Sequence, residues 1–97
     1  MSNGWRLTTL AAADLRQIGQ YTQARWGSLQ RRRYFAALDR CLTFLAEHPD
    51  AGRVRDDVRV GYRSWREGSH VIFYRPDGDT VLVVRILHHA MDPAAHL

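Results

Sequence analysis

Lysine is absent from this chain, cysteine occurs once, and no apolar run approaches the roughly 20 residues of a membrane span. Each absence excludes something. Without lysine there can be no Schiff base and no lysine general base. A lone cysteine, Cys41, cannot close an internal disulfide. It lies in an apolar helical pattern, where a buried thiol is the expected role, and nothing beside it in sequence would lower its pKa. The opening stretch Met1-Ser-Asn-Gly-Trp-Arg6 has no apolar signal-peptide core, so a cytoplasmic protein is expected. No Gly-x-Gly-x-x-Gly or Walker pattern offers a nucleotide cradle. None of Ser28, Ser64 and Ser69 stands in a Gly-x-Ser-x-Gly elbow. His70, His88, His89 and His96 include no helical His-x-x-x-His pair and no Cys/His spacing, so neither a metal nor another cofactor is expected.

What is present is an excess of positive charge. All 14 basic residues are arginine, against 10 acidic ones, for a net charge of +4. The pI near 10.0 points to an acidic partner, whether nucleic acid or protein. At 97 residues, 45% of them hydrophobic, residues 1–97 make one domain with one modest core.

Residues 5–8 read as a short strand, with Thr8 or Thr9 at an N-cap position. Ala11, Leu15, Ile18 and Thr22 then recur at helical spacing as far as Trp26, with Asp14 early enough to complement the helix dipole. Gly27 ends this helix and Ser28 can cap the next. There Tyr34, Leu38, Cys41 and Leu45 form a stripe, widened by Phe35 and Leu42, until Pro49 stops the helix after His48. A turn and a charged connection follow. The period then changes to extended, with strands near 62–65, 71–74 and 80–87 and hairpin turns at 67–69 and 76–79. The expected fold is α+β, in the order β-α-α-β-β-β, with a helical hairpin on a small, mainly antiparallel sheet. The partner of the first strand is not legible, and an exposed sheet edge is a natural site for a partner strand.

Arg85, His88 and His89 gather at the end of the last strand. Strand alternation would put Arg85 and His89 on one face and His88 on the other. Arginine can clamp a phosphate and histidine can act as acid or base, with Arg59 and Arg63 near enough to complete a pocket. Alternatively, Arg85 braces the sheet or the tail through backbone carbonyls. Trp26, Tyr34, Phe35, Phe44 and Phe73 fall on apolar stripes and read as core. Trp5, Trp65 and Tyr74 read as outward-facing, free to cover a groove or stack on a base.

A set of short motifs runs through nearly the whole chain in order. They are Leu7-Thr-Thr with Ala13-Asp-Leu15, Ile18 and Tyr21; Arg25-Trp-Gly27; Tyr34 with Leu38; and Leu45-Ala-Glu-His-Pro49. Gly52-Arg53, Arg59-Val-Gly-Tyr-Arg63, His70-Val-Ile-Phe-Tyr-Arg75, Arg85-Ile-Leu-His88 and Met91-Asp … His96-Leu97 complete the series. Together they resemble the ParE branch of the RelE/ParE toxin superfamily, whose fold has the element order read above. The resemblance implies a non-enzymatic toxin of a type II toxin–antitoxin module that inhibits DNA gyrase and stalls it on cleaved DNA. It also implies a ParD-like antitoxin wrapped over the helical hairpin and sheet. From the position and charge of the tail, the target-binding residues are expected to be Arg85, His88, His89, Met91 and Asp92. Antitoxin binding is expected at Arg59, Arg63, Trp65, Tyr74 and Arg75. The alternative is the RelE branch, ribosome-dependent mRNA endonucleases. Arg85 with His88 or His89 would then do the chemistry, although no tyrosine follows the last strand here.

Overall fold

The computed structural model describes residues 4–97, so residues 1–3 of the stretch read for a signal peptide lie outside it. Strand β1 (Trp5–Leu7) passes into helix α1 (Thr9–Trp26) through Thr8. The Thr8 hydroxyl accepts from the Ala11 amide at 3.0 Å, capping the helix, and donates to the Val84 carbonyl at 2.7 Å. One side chain thus starts the helix and ties it to the sheet. Gly27, at φ +92°, ends α1 in a conformation that a side chain would strain. Helix α2 (Ser28–Glu47) follows at once. Ser28 does not cap it: Gly27 holds the N-cap position and Ser28 is already helical. Nor is Asp14 a first-turn charge, since α1 has no acidic residue there and Asp14 is buried.

Four further strands complete the sheet: β2 (Arg53–Val54), β3 (Arg63–Glu67), β4 (His70–Asp77) and β5 (Thr80–His88). Their spatial order is β1-β5-β4-β3-β2, with β1 parallel to β5 and every other pair antiparallel. Strand β2 falls in the stretch expected to be a charged connection, because two residues carry no alternation to read. Pro76 is tolerated inside β4 because β3 reaches only as far as Tyr74, leaving that flank of β4 locally an edge. The register slips between Phe73 and Tyr74, so Val84 is the extra residue of a β-bulge. The carbonyl freed there is the one that Thr8 satisfies.

The helical hairpin lies on one face of the sheet, a two-layer α+β arrangement. Its core joins Ala11, Ile18, Leu38, Leu42 and Leu45 to Ile72, Tyr74, Val81, Val83 and Ile86. Tyr74 is fully buried in that core, not outward-facing. Its place follows from alternation, since Ile72 and Tyr74 point toward the helices while Phe73 points away. Its hydroxyl donates to the Pro49 carbonyl and accepts from the Gly52 amide, both at 2.8 Å, which makes burying it affordable. Trp5 and Trp65 also pack against the core, Trp65 with its ring 5.4 Å from that of Phe44.

Gly52 is required by this contact: a Cβ there would meet the Tyr74 hydroxyl at 2.3 Å and its ring at 2.7 Å. Gly52→Ala is therefore expected to cost about 1–3 kcal/mol by overpacking. A thermal midpoint unchanged from the parent would refute that expectation.

Candidate functional site

Beyond Leu7 strand β1 ends, yet β5 runs on for several residues with its outer edge unpaired by strand. Asp14 of α1 takes the missing strand's place. Its Oδ2 accepts from the Ile86 amide at 2.9 Å and from Arg85 Nε at 2.8 Å, while Oδ1 accepts from Arg85 Nη2 at 2.9 Å. The ion pair is largely dry, with the Arg85 and Asp14 side chains 15% and 8% exposed. Asp14 holds the Arg85 guanidinium even more firmly protonated than usual. The remaining Nη1 donates to the His96 carbonyl at 2.9 Å, pinning the tail. Arg85 thus braces sheet and tail, as the structural alternative for it held.

The tail is a run of turns. The His89 amide donates to the Ser69 carbonyl, the Ala90 amide to His88 Nδ1 at 3.1 Å, and the Met91 amide to the His88 carbonyl. Asp92 caps a 3-10 turn at Pro93–Ala95 by accepting from the Ala94 amide at 3.1 Å. Strand alternation does not reach His89, because β5 stops at His88. The His88 and His89 rings stack with centroids 4.5 Å apart instead of pointing to opposite faces.

His88 also meets the edge of His70, its cross-strand neighbour, at 5.7 Å. His70 Nδ1 lies 2.7 Å from the Tyr34 hydroxyl, which donates to the Glu67 carbonyl at 2.8 Å. Burial lowers the pKa of His70, and the neighbouring His88 and His89 lower it further against a small opposing pull from Asp14. Partial loss of solvent, then Arg66 and His88, lower that of His89. Burial and the nearby Glu67 push the Tyr34 hydroxyl up to about 12. Cys41, its thiol donating to Glu67 at 3.0 Å, is pushed up to about 11 by burial and that bond, far from a reactive thiolate.

Tyr34, His70 and His88 form one wall of a groove of about 460 Å³ between the helical hairpin and the base of the tail. Ile18, Tyr21, Trp26, Leu87 and Met91 supply apolar surface. Trp26, expected in the core, is 63% exposed at the lip of the groove, and Tyr21 is 64% exposed. Ile18 and Thr22, two turns and one turn earlier on α1, are buried while Trp26 is not, so the apolar stripe outlasts the core that would cover it.

Arg59, Arg63 and Arg75 lie elsewhere, toward the other end of the sheet. Arg63 donates to the carbonyls of Gly52 and Asp50, Arg75 lies 3.9 Å from Asp77, and Arg59 covers the Tyr62 ring. The expected target and antitoxin sets are therefore two separate regions. Tyr74 belongs to neither surface. Sequence reading missed the Asp14–Arg85 pair and the Tyr34–His70 pair. The one available signal was Asp14 itself, a lone acid among Ala11, Leu15 and Ile18 on an apolar face. Among the described residues, no group of three His, Cys, Asp or Glu side chains is placed to hold a metal ion.

A family model, the ParE toxin of the type II toxin–antitoxin system parDE, matches residues 5–93. The chain belongs to the ParE toxin family. Toxin ParE1 of Caulobacter vibrioides is 42% identical over 93 residues, 96% of each chain. Among solved structures, one from the chromosomal ParDE toxin–antitoxin system of P. aeruginosa superposes with a TM-score of 0.74. At 21% identity, over 90% of this chain and 96% of that one, the likeness is one of fold. A chain of the RelBE2 toxin–antitoxin complex from Mycobacterium tuberculosis gives 0.57 at 25% identity, covering 92% and 100%. As a ParE-type toxin of a type II toxin–antitoxin system, this chain has the α+β fold that its motifs implied.

Proposed function

We propose that this ParE-type toxin inhibits DNA gyrase by protein–protein binding through its tail, and that a ParD-like antitoxin neutralises it. The observation that carries the binding reading is the state of Arg85. Three of its five N–H donors go to the Asp14 carboxylate and the His96 carbonyl and its side chain is only 15% exposed, so it is committed to architecture and offers little to a scissile phosphate. An mRNA endonuclease would have to do without that clamp. Arg85 and Asp92 then serve the target by shaping the tail, while the exposed His88, His89 and Met91 make the contact. Gyrase acts in the cytoplasm, which is where the toxin would work. No helix of the described residues is long and apolar enough to cross a membrane.

For the antitoxin we propose the groove beside α1 and α2, with charge-assisted bonds at the far rim from Arg59, Arg63 and Arg75 and contact at Trp65. The net charge of +4 suits an acidic, extended partner segment.

The test is a gyrase supercoiling assay with purified protein, scoring both inhibition and trapped linear plasmid. Inhibition with linear DNA, reversed by antitoxin, is the expected result. A folded protein that arrests growth yet leaves gyrase untouched, and cleaves mRNA in a translation extract, would replace this reading with the endonuclease.

A further inference from the structure

The histidines at the base of the tail have a donor pattern that the toxin's own fold leaves unused. In His88, Nδ1 accepts the Ala90 amide, so the neutral ring carries its proton on Nε2. In His70 the arrangement is reversed. The Tyr34 hydroxyl spends its proton on the Glu67 carbonyl, so His70 Nδ1–H donates to the hydroxyl oxygen and Nε2 holds a lone pair. Both rings line the groove and meet edge to face at 5.7 Å. One free Nε2 is already a donor and the other becomes one on taking up a proton.

The charged and titratable groups around the two rings leave them short of an anion. Arg66 and His89 lie on the outer side, Arg85 and Asp14 toward α1, and Tyr34 and Glu67 toward α2. The Asp14 carboxylate is consumed by Arg85 and the Ile86 amide. Glu67 takes the Cys41 thiol. Among the described residues, no other carboxylate lines the groove. The rest of the lining mixes apolar Ile18, Leu87 and Met91 with the neutral polar Gln17, Thr22 and Gln30, and two large aromatic side chains, Tyr21 and Trp26, are exposed along it.

We infer that His70 and His88 form a carboxylate subsite within the groove, and that its occupant is an Asp or Glu side chain on an amphipathic segment of the antitoxin. The segment's apolar residues rest on Ile18, Tyr21 and Trp26, and its acid reaches the imidazole edges. This rests on the antitoxin reading above and adds its recognition chemistry and its pH dependence. The incoming carboxylate favours the charged imidazole, so His70 takes up a proton as the complex forms. Affinity therefore rises as pH falls from 8 toward 6, by at most about tenfold per pH unit for one proton. The partner's carboxylate keeps its charge until pH nears 4.

The experiment is calorimetric titration of the full-length toxin with its ParD-type antitoxin at pH 8, 7 and 6. Two buffers of different ionisation enthalpy give the number of protons taken up. The expected result is net uptake approaching one proton and a several-fold tightening between pH 8 and 6. Both should be lost in His70→Gln, with a several-fold weakening in His88→Gln, an exposed position where the Met91 amide to His88 carbonyl bond of the turn is backbone only. The wild-type measurement needs no variant and stands even if His70→Gln does not fold. Binding without proton uptake, or uptake that persists in a folded His70→Gln, would overturn the carboxylate subsite and leave the antitoxin reading intact. No binding at any pH would overturn both.

Discussion

Asp14→Ala is expected to destabilise the toxin by about 3–5 kcal/mol, the usual effect of removing one partner of a buried ion pair. Three groups lose their acceptor at once: Arg85 Nε, Arg85 Nη2 and the Ile86 amide. The guanidinium is left charged and mostly enclosed, with only the His96 carbonyl beside it. At roughly 4 °C or more per kcal/mol for a domain of this size, the thermal midpoint should fall by at least about 12 °C. Asp14→Asn keeps an acceptor for Ile86 but leaves the arginine uncompensated, so it should fall between the parent and alanine. Thermal denaturation followed by circular dichroism measures both. A loss under about 1 kcal/mol for the alanine variant would mean that water replaces the carboxylate and that the pair is not the brace described here.

Deletion of residues 88–97 is expected to abolish gyrase inhibition while the fold and most antitoxin affinity survive. The truncation removes one strand residue, the turns beyond it and the His96 carbonyl, but leaves Arg85 on Asp14 and the whole two-layer core. The antitoxin would lose His88 and Met91 from its groove and keep Ile18, Tyr21, Trp26 and the arginine rim. Supercoiling assays and an antitoxin titration on the same preparation separate the two effects. Full inhibition by the folded truncation would place the gyrase contact elsewhere on the toxin.

The fold was legible where chemistry is local. Thr8 as a cap, Gly27 as a stop, Pro49 after α2 and the Asp77-Gly-Asp79 hairpin all act within a few residues of themselves. The failures arise where a distant partner decides. Tyr74 looked like an outward aromatic until the Gly52 amide and Pro49 carbonyl were there to satisfy its hydroxyl. Trp26 looked like core because its stripe is apolar, though nothing in a helix period reveals where the sheet beneath it ends. Asp14 and Arg85 lie 71 residues apart, and only the early termination of β1 gives the carboxylate a backbone amide to hold. The clustering of Arg85, His88 and His89 was legible as a region, whereas the hydrogen bonds that make Arg85 a brace depend on Asp14 of α1 and on the tail.

The parallel ladder between β1 and β5 joins Trp5, Arg6 and Leu7 to Val81, Leu82 and Val83, nearly opposite ends of the chain. Loop closure over that distance must be met before the ladder repays it. During synthesis the first strand therefore waits, unpaired, until almost the whole polypeptide has left the ribosome. Thr8 and Asp14 find their acceptors and donors at the same late moment, and the tail forms last of all. A growing chain therefore lacks the completed sheet on which the groove and the base of the tail are built, and both can assemble only once β5 is free to pair.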